Sequence, residues 1–155
     1  MLSTALAGTL ATVSLAPAQA VQSDTLTMTT TMLAPSTYEE RVQRQVNRRR
    51  ANHGLRRLRL VSCADGTAET WSRYLATTDQ FFHQSMGTVL DRCDAQYAGE
   101  TLGRGTMTPR RLVRLWMQSP GHRAILLSGK PRRIGIGATY DADGRVVVAA
   151  NFVRL

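Results

Sequence analysis

Ile134-Gly135-Ile136-Gly137-Ala138-Thr139-Tyr140, followed by Asp141-Ala142-Asp143-Gly144 and then Val146-Val147-Val148-Ala149-Ala150-Asn151-Phe152-Val153, is the stretch that decides the fold. Its first part alternates larger side chains with glycine at a period of two. The Asp-Ala-Asp-Gly run turns the chain, and the second part returns as an almost wholly apolar strand. A strand without polar alternation has both faces covered, so this hairpin belongs in the middle of a layered structure with helices against it. The glycine pair lets a helix or a cleft wall press directly on the backbone of the first strand.

Helical patterns precede the hairpin. Thr108-Pro109 supplies an N-cap and a preset first helical residue. Leu112, Val113, Trp116 and Met117 form its inner face, with Arg110, Arg111 and Arg114 outward. Ser119-Pro120-Gly121-His122 repeats the device and places His122 in the first turn of another helix that closes at Ser128-Gly129. There the positive end of the helix dipole disfavours protonation, and a neutral imidazole is what a metal ligand or general base requires.

Further back, Ser36-Thr37-Tyr38-Glu39 reads as a capping box opening a helix with Tyr38, Val42 and Val46 inward, ended by Asn52-His53-Gly54. His53 falls on the solvent side of the last turn. Leu55, Leu58 and Leu60 interleave with Arg56, Arg57 and Arg59 in a short connection whose leucines pack inward. Ser62-Cys63-Ala64-Asp65 repeats the capping pattern before a helix with Ala64, Ala68, Trp71 and Leu75 on one stripe, Trp71 being read as core. Residues 87–95 have mixed polarity and are expected to be a loop. Cys63 and Cys93 lack further ligands at metal spacing and are expected to form a disulfide, worth roughly 3 to 4 kcal/mol on the chain-entropy model.

The first 20 residues carry no charge and end in Ala18-Gln19-Ala20, a small-x-small cleavage pattern, so residues 1–20 are expected to be a secretory signal peptide. Val21 to Pro35 is expected to be a disordered linker and residues 36–155 the folded domain, with no transmembrane span once the leader is removed. The net charge is +9, and Lys130 is the single lysine. Such an arginine-rich surface favours anionic polymers, while missing aromatic interleaving argues against specific nucleic-acid recognition. An arginine excess also follows from genomic base composition alone.

Three residues carry the functional reading: His83 after Phe81-Phe82, Glu100 after Gly99, and His122 after Ser119-Pro120-Gly121. They are expected to line one cleft.

These segments resemble, in order, the CAP superfamily: Asn47, Gly54-Leu55, Ala68/Trp71, Phe82-His83, Gly99-Glu100, Trp116-Met117-x-Ser119-Pro120-Gly121-His122-Arg123 and the Ile134–Gly137 strand. That superfamily joins cysteine-rich secretory proteins, insect venom antigens and plant pathogenesis-related proteins, with a bacterial SCP-domain branch. The resemblance implies an α+β, three-layer α-β-α sandwich with a central antiparallel sheet and a cleft of two histidines and one or two acidic residues, at which some members bind zinc. His83, Glu100 and His122 match the cleft positions, so the resemblance implies them as candidate ligands, three of which suffice for zinc or another divalent cation with an open fourth position. Two departures stand out. Thr101 occupies the place of the usual asparagine, leaving that amide's role to a hydroxyl, and no second acidic residue follows His83, the nearest being Asp91.

Secretion to the extracellular space or cell envelope is the expected localisation. Expected functions are an extracellular binding module for a lipid or cell-wall ligand; a metal-assisted hydrolase using Glu100, His122 and His83; or a charge-driven binder of anionic polymers. For a hydrolase, Ser85 and Ser119 are nucleophile candidates by type alone, and Ser119 is explained as a cap.

Overall fold

The computed structural model describes residues 32–155. The expected signal peptide at 1–20, and the expected linker as far as residue 31, lie outside the described residues. Within them the order is α1 (Pro35–Ala51), β1 (Arg59–Leu60), α2 (Ser62–Thr78), α3 (Met86–Cys93), β2 (Tyr97–Gly105), α4 (Pro109–Gln118), α5 (Pro120–Leu126), β3 (Arg133–Tyr140) and β4 (Val146–Arg154).

The sheet runs β1-β3-β4-β2, so the predicted hairpin is its centre. It is antiparallel through β3, β4 and β2, and the two-residue β1 adds to β3 in parallel. Both faces of β4 are covered, as its composition requires. Val146, Val148, Ala150 and Phe152 join the larger core with α1, α4 and α5. Val147, Ala149 and Val153 face the other way, toward α2 and α3. The α-β-α sandwich is therefore set by strict period-two alternation along one strand.

Gly135 and Gly137 make the α2 layer possible. A Cβ on either would overlap helix backbone, at Ala64–Asp65 for Gly135 and at Ala68–Glu69 for Gly137. Ala64 and Ala68, both fully buried, present the small surface that fits this approach. The Cys63–Cys93 disulfide forms as expected, with Cα atoms 5.3 Å apart, and ties α2 to α3.

Several expectations are corrected. Neither Ser36 nor Ser62 caps a helix. α1 begins at Pro35 after Ala34 and α2 at Ser62 after Val61, without side-chain caps. The carboxylates of the two motifs serve the sheet instead. Asp65 Oδ1 accepts from the Ile136 N–H at 2.9 Å and Glu39 Oε1 from the Ala138 N–H at 2.7 Å. β1 pairs with β3 only at Arg133 and Ile134, so these N–H groups point off an open edge, and an unmet strand donor outcompetes a helix terminus that water can solvate.

Leu33 packs on the core and its carbonyl accepts from Tyr140 Oη at 2.9 Å, so ordered packing starts before Ser36. Residues 86–93 form α3 rather than a loop, because Val89 and Cys93 seat that turn against Ala64 and Val153. Leu60 is 49 % exposed, so only Leu58 of the interleaved leucines is fully buried. Trp71 is half-buried, and the tryptophan inside the core is Trp116, whose Nε1 donates to the Leu102 carbonyl at 2.7 Å.

Replacing Gly137 by Ala should cost about 2 kcal/mol or more in denaturant unfolding, because helix backbone has to move. Gly129→Ala, where a Cβ meets nothing, should stay within about 0.5 kcal/mol. Equal effects would show that the α2–β3 contact is not tight.

Candidate functional site

Among the described residues β2 is an edge strand bonded only to β4, and the cleft is built across its free side. Side chains at 98, 100 and 102 face the α2–α3 layer, whereas Gly99 and Gly103 face Ile125, Leu112 and Trp116. Glu100 thus comes from one face and His122, in α5, from the other. The segment after α2, residues 79–85, crosses the strand edge and carries His83 between them.

Arg104 on β2 holds that segment down. Its Nη2 donates to the carbonyls of Leu75 (2.8 Å) and Gln80 (2.6 Å), and Nη1 meets Asp79 Oδ1 at 2.9 Å. The guanidinium also lies over the Phe81 ring, 5.2 Å from its centroid. Asp79 takes a left-handed conformation, φ 53°, which ends α2 and redirects the chain toward the cleft. Arg104 was absent from the sequence-based site residues. A lone arginine between glycines carries no sequence signal, since its partners are main-chain carbonyls more than twenty residues away.

Glu100 is buried, with 2 % of its side chain exposed, and both oxygens are engaged. Oε1 lies 2.6 Å from His83 Nδ1 and accepts the Gln84 backbone N–H at 3.3 Å, and Oε2 accepts Gln84 Nε2 at 2.6 Å. A carboxylate only accepts, so Nδ1 carries the proton and Nε2 of a neutral His83 is left as the free lone pair. The polar chain continues inward, with Gln84 Nε2 also 3.2 Å from Asn151 Oδ1 and Asn151 Nδ2 donating to Thr67 Oγ1 at 3.0 Å. Gln84 and Asn151 complete the network and were not singled out in the sequence.

Burial pushes the Glu100 carboxyl above its ordinary value, opposed by the hydrogen bonds from Gln84 and His83. His122 is lowered, first by burial and then by the nearby His83. The structure thus brings His83 and Glu100 into direct contact and His122 within electrostatic reach of His83. His53 lies elsewhere, exposed at the end of α1 with Nδ1 2.9 Å from the Arg49 carbonyl. Thr101 does not replace an amide, because its Oγ1 is fully buried with no hydrogen-bond partner among the described residues.

Among the described residues, no three His, Cys, Asp or Glu side chains are grouped so as to hold a metal ion. In this arrangement both Glu100 oxygens accept hydrogen bonds, from His83, the Gln84 backbone and the Gln84 side chain.

Two cavities flank the network. One of 280 Å³ is lined by Thr67, Thr70, Trp71, Gln84, Ser85 and Thr88, with Arg92 at its rim. The other, of 290 Å³, lies between Phe81, Met107, Leu115, Ser119 and His122. Trp71 stacks on Tyr74 with ring centroids 5.1 Å apart, and Phe82 meets Trp71 edge-on at 5.1 Å. Trp71 Nε1 donates to the Phe82 carbonyl at 3.1 Å, joining this ledge to the His83 segment.

The pH dependence follows from Glu100. Its raised folded-state pKa means that the folded chain holds this proton more tightly, so its contribution is complete below 4.5 and lost as pH rises through the folded value. The stability of the parent minus that of Glu100→Gln should therefore shrink as pH rises from 4.5. A difference that grows with pH would mean that the donors outweigh burial. Separately, Thr101→Val removes an unpartnered hydroxyl and should raise stability by about 1 kcal/mol in denaturant unfolding, whereas a loss would reveal a partner for Oγ1.

Comparison with known proteins places this geometry. Protein YkwD of Bacillus subtilis, itself described as uncharacterized, is 32 % identical over 142 residues, covering 87 % of this chain and 54 % of that protein. The chain spans about half the length of this curated relative. An outer surface protein of Borrelia burgdorferi superposes with a TM-score of 0.70 at 18 % identity, over 79 % of this chain and 96 % of that one. An extracellular protein of Bacillus anthracis containing an SCP domain superposes at 0.69 with 23 % identity, over 78 % and 41 %. Both structural likenesses show a shared fold. Residues 43–152 match the family described as CAP, the cysteine-rich secretory protein family, and the chain belongs to it.

Proposed function

We propose that the chain is an extracellular binding module whose cleft, running over the open edge of β2, holds a lipid or cell-wall ligand. The observation that carries this reading is the aromatic ledge beside the His83–Glu100–Gln84 network. Phe81 and Phe82 are 49 % and 45 % exposed and Tyr74 is 39 % exposed, next to half-buried Trp71. Leaving such rings in water forfeits hydrophobic stabilisation, and a contiguous exposed patch bordered by polar groups is the usual form of a binding surface. An amphipathic ligand fits it, with an acyl chain or sugar face on the rings and polar groups at His83, Gln84 and Ser85. Extracellular placement is supported by the disulfide, by the leader-like sequence at 1–20 and by the extracellular description of the Bacillus anthracis protein. No described helix is long and apolar enough to cross a membrane.

Should zinc or another divalent ion enter the cleft, the groups that would hold it are the imidazoles of His83 and His122, which lie within electrostatic reach of one another. Glu100 then orients His83 and does not ligate the ion itself. The hydrolase reading draws support from the Glu100-oriented imidazole. However, neither Ser85 nor Ser119 is hydrogen-bonded to His83 or His122 among the described residues, so no nucleophile is paired with a base.

The test is calorimetry and thermal shift with soluble peptidoglycan fragments in one arm and phospholipid vesicles in the other. One arm should bind, and Trp71→Ala should weaken it by roughly tenfold or more without loss of the fold. Failure of both arms, or indifference to Trp71, overturns the reading. A zinc titration of the same protein should lose any stoichiometric binding on His83→Ala/His122→Ala and weaken by about 10- to 100-fold on Glu100→Gln.

A further inference from the structure

The cleft lies at the β2 edge of the sheet. At the opposite edge, beside β1, a groove of 720 Å³ is lined by Gln43, Arg56, Arg57, Arg59, Arg132 and Arg133, with Leu58 and Leu60 as its apolar wall. Among the described residues no carboxylate lines it. Among the described residues none of the five arginines forms an ion pair, although the chain pairs other arginines, such as Arg104 and Arg145, with aspartates. Arg56, Arg57, Arg59 and Arg132 are exposed and Arg133 is half-buried.

The groove is held rigidly. Asn47 bonds the backbone of Leu58 reciprocally, its Nδ2 donating to the carbonyl at 3.0 Å and its Oδ1 accepting the N–H at 2.7 Å. Arg50, fully buried, donates through Nε to the Arg56 carbonyl at 2.9 Å and through Nη1 to those of Leu126 and Ser128. Among the described residues no carboxylate compensates its charge, and Nη2 has no partner. The wall of the groove thus stands in front of a buried, unneutralised positive charge. Separated like charges gathered on one concave surface repel one another, and the bland effect of base composition would distribute arginines without regard to shape or to nearby acids.

We infer that this groove is a second binding site, distinct from the cleft, for a linear polymer of phosphate groups. Guanidinium forks match phosphate oxygens in pairs. A concave site admits a thin chain and excludes a flat lipid headgroup surface. Among the described residues the groove has no aromatic lining on which bases could stack, which favours a phosphate chain without bases over nucleic acid. The inference does not rest on the proposed function of the cleft, and the two fail independently.

The experiment titrates the protein with inorganic polyphosphate, following binding by fluorescence anisotropy at graded salt. Further arms use orthophosphate, a single-stranded oligonucleotide matched in phosphate number, and anionic vesicles. Polyphosphate should bind with a steep salt dependence, log K falling with log salt at a slope of roughly −3.5 for five contacts. Arg56→Gln/Arg57→Gln/Arg59→Gln, whose side chains make no hydrogen bond among the described residues, should weaken binding by roughly tenfold or more and flatten the slope by about 2. Arg110→Gln/Arg111→Gln/Arg114→Gln removes the same charge from exposed positions of α4 and should change binding by less than about threefold, as should Trp71→Ala. Equal losses in the two triple variants would reduce the site to diffuse net charge and overturn the inference. Tighter binding of the oligonucleotide or of vesicles than of polyphosphate, or equal affinity for orthophosphate, would overturn it as well.

Discussion

The contact of α2 with the bare backbone of β3 at Gly135 and Gly137 is the constraint on which the remaining structure depends. Because two glycines remove the side chains between helix and sheet, α2 lies close enough for Asp65 to reach the Ile136 N–H. Glu39 of α1 satisfies the Ala138 N–H on the same edge, so one strand is closed off by carboxylates from both helical layers. Once α2 is seated, its C-terminal end is fixed over β2, and the turn at Asp79 has to carry the chain across that strand's free side. The cleft is a consequence of leaving β2 without a second neighbour.

An open edge is normally a liability, because unpaired strand groups invite another chain. Here the 79–85 segment covers part of it, and the covering is polar where it is most buried. Arg104 satisfies three carbonyls at the end of α2 and just beyond, while Glu100 takes the His83 ring and the Gln84 side chain. The same contacts that cover the edge orient His83 with its Nε2 free, so fold maintenance and site geometry share residues. The aromatic rings that remain exposed lie on the outward side of this segment, which is why a binding surface accompanies the polar network.

Much of this was legible in the sequence because period and punctuation determine it locally. The alternation at 134–140 and the apolar run at 146–153 placed the hairpin at the centre of a sandwich, and His83, Glu100 and His122 could be gathered from their motifs. What was not legible depends on tertiary partners. The Ser-x-x-Glu and Ser-x-x-Asp patterns are equally good helix caps on paper, and only the unpaired N–H groups of β3 redirect their carboxylates. Trp71 follows the buried stripe of α2, yet it falls where the stripe reaches the cleft rim. The 86–93 helix has Ser85 at its N-cap but no side-chain cap hydrogen bond, and is set by Val89 and the disulfide. Arg104, Gln84 and Asn151 are ordinary polar residues until the fold places a carboxylate or a chain end beside them.

Arg104 and Glu100 together hold the His83 segment over the edge of β2. Histidine-ring NMR on the parent chain and on Arg104→Met tests it most directly. In the parent, His83 should show a slowly exchanging proton on Nδ1, shielded by Glu100. In the variant that resonance should be lost or averaged while the amides of β3 and β4 keep their exchange protection. An unchanged Nδ1 signal in the variant would contradict the account, since His83 would then hold its place without the clamp.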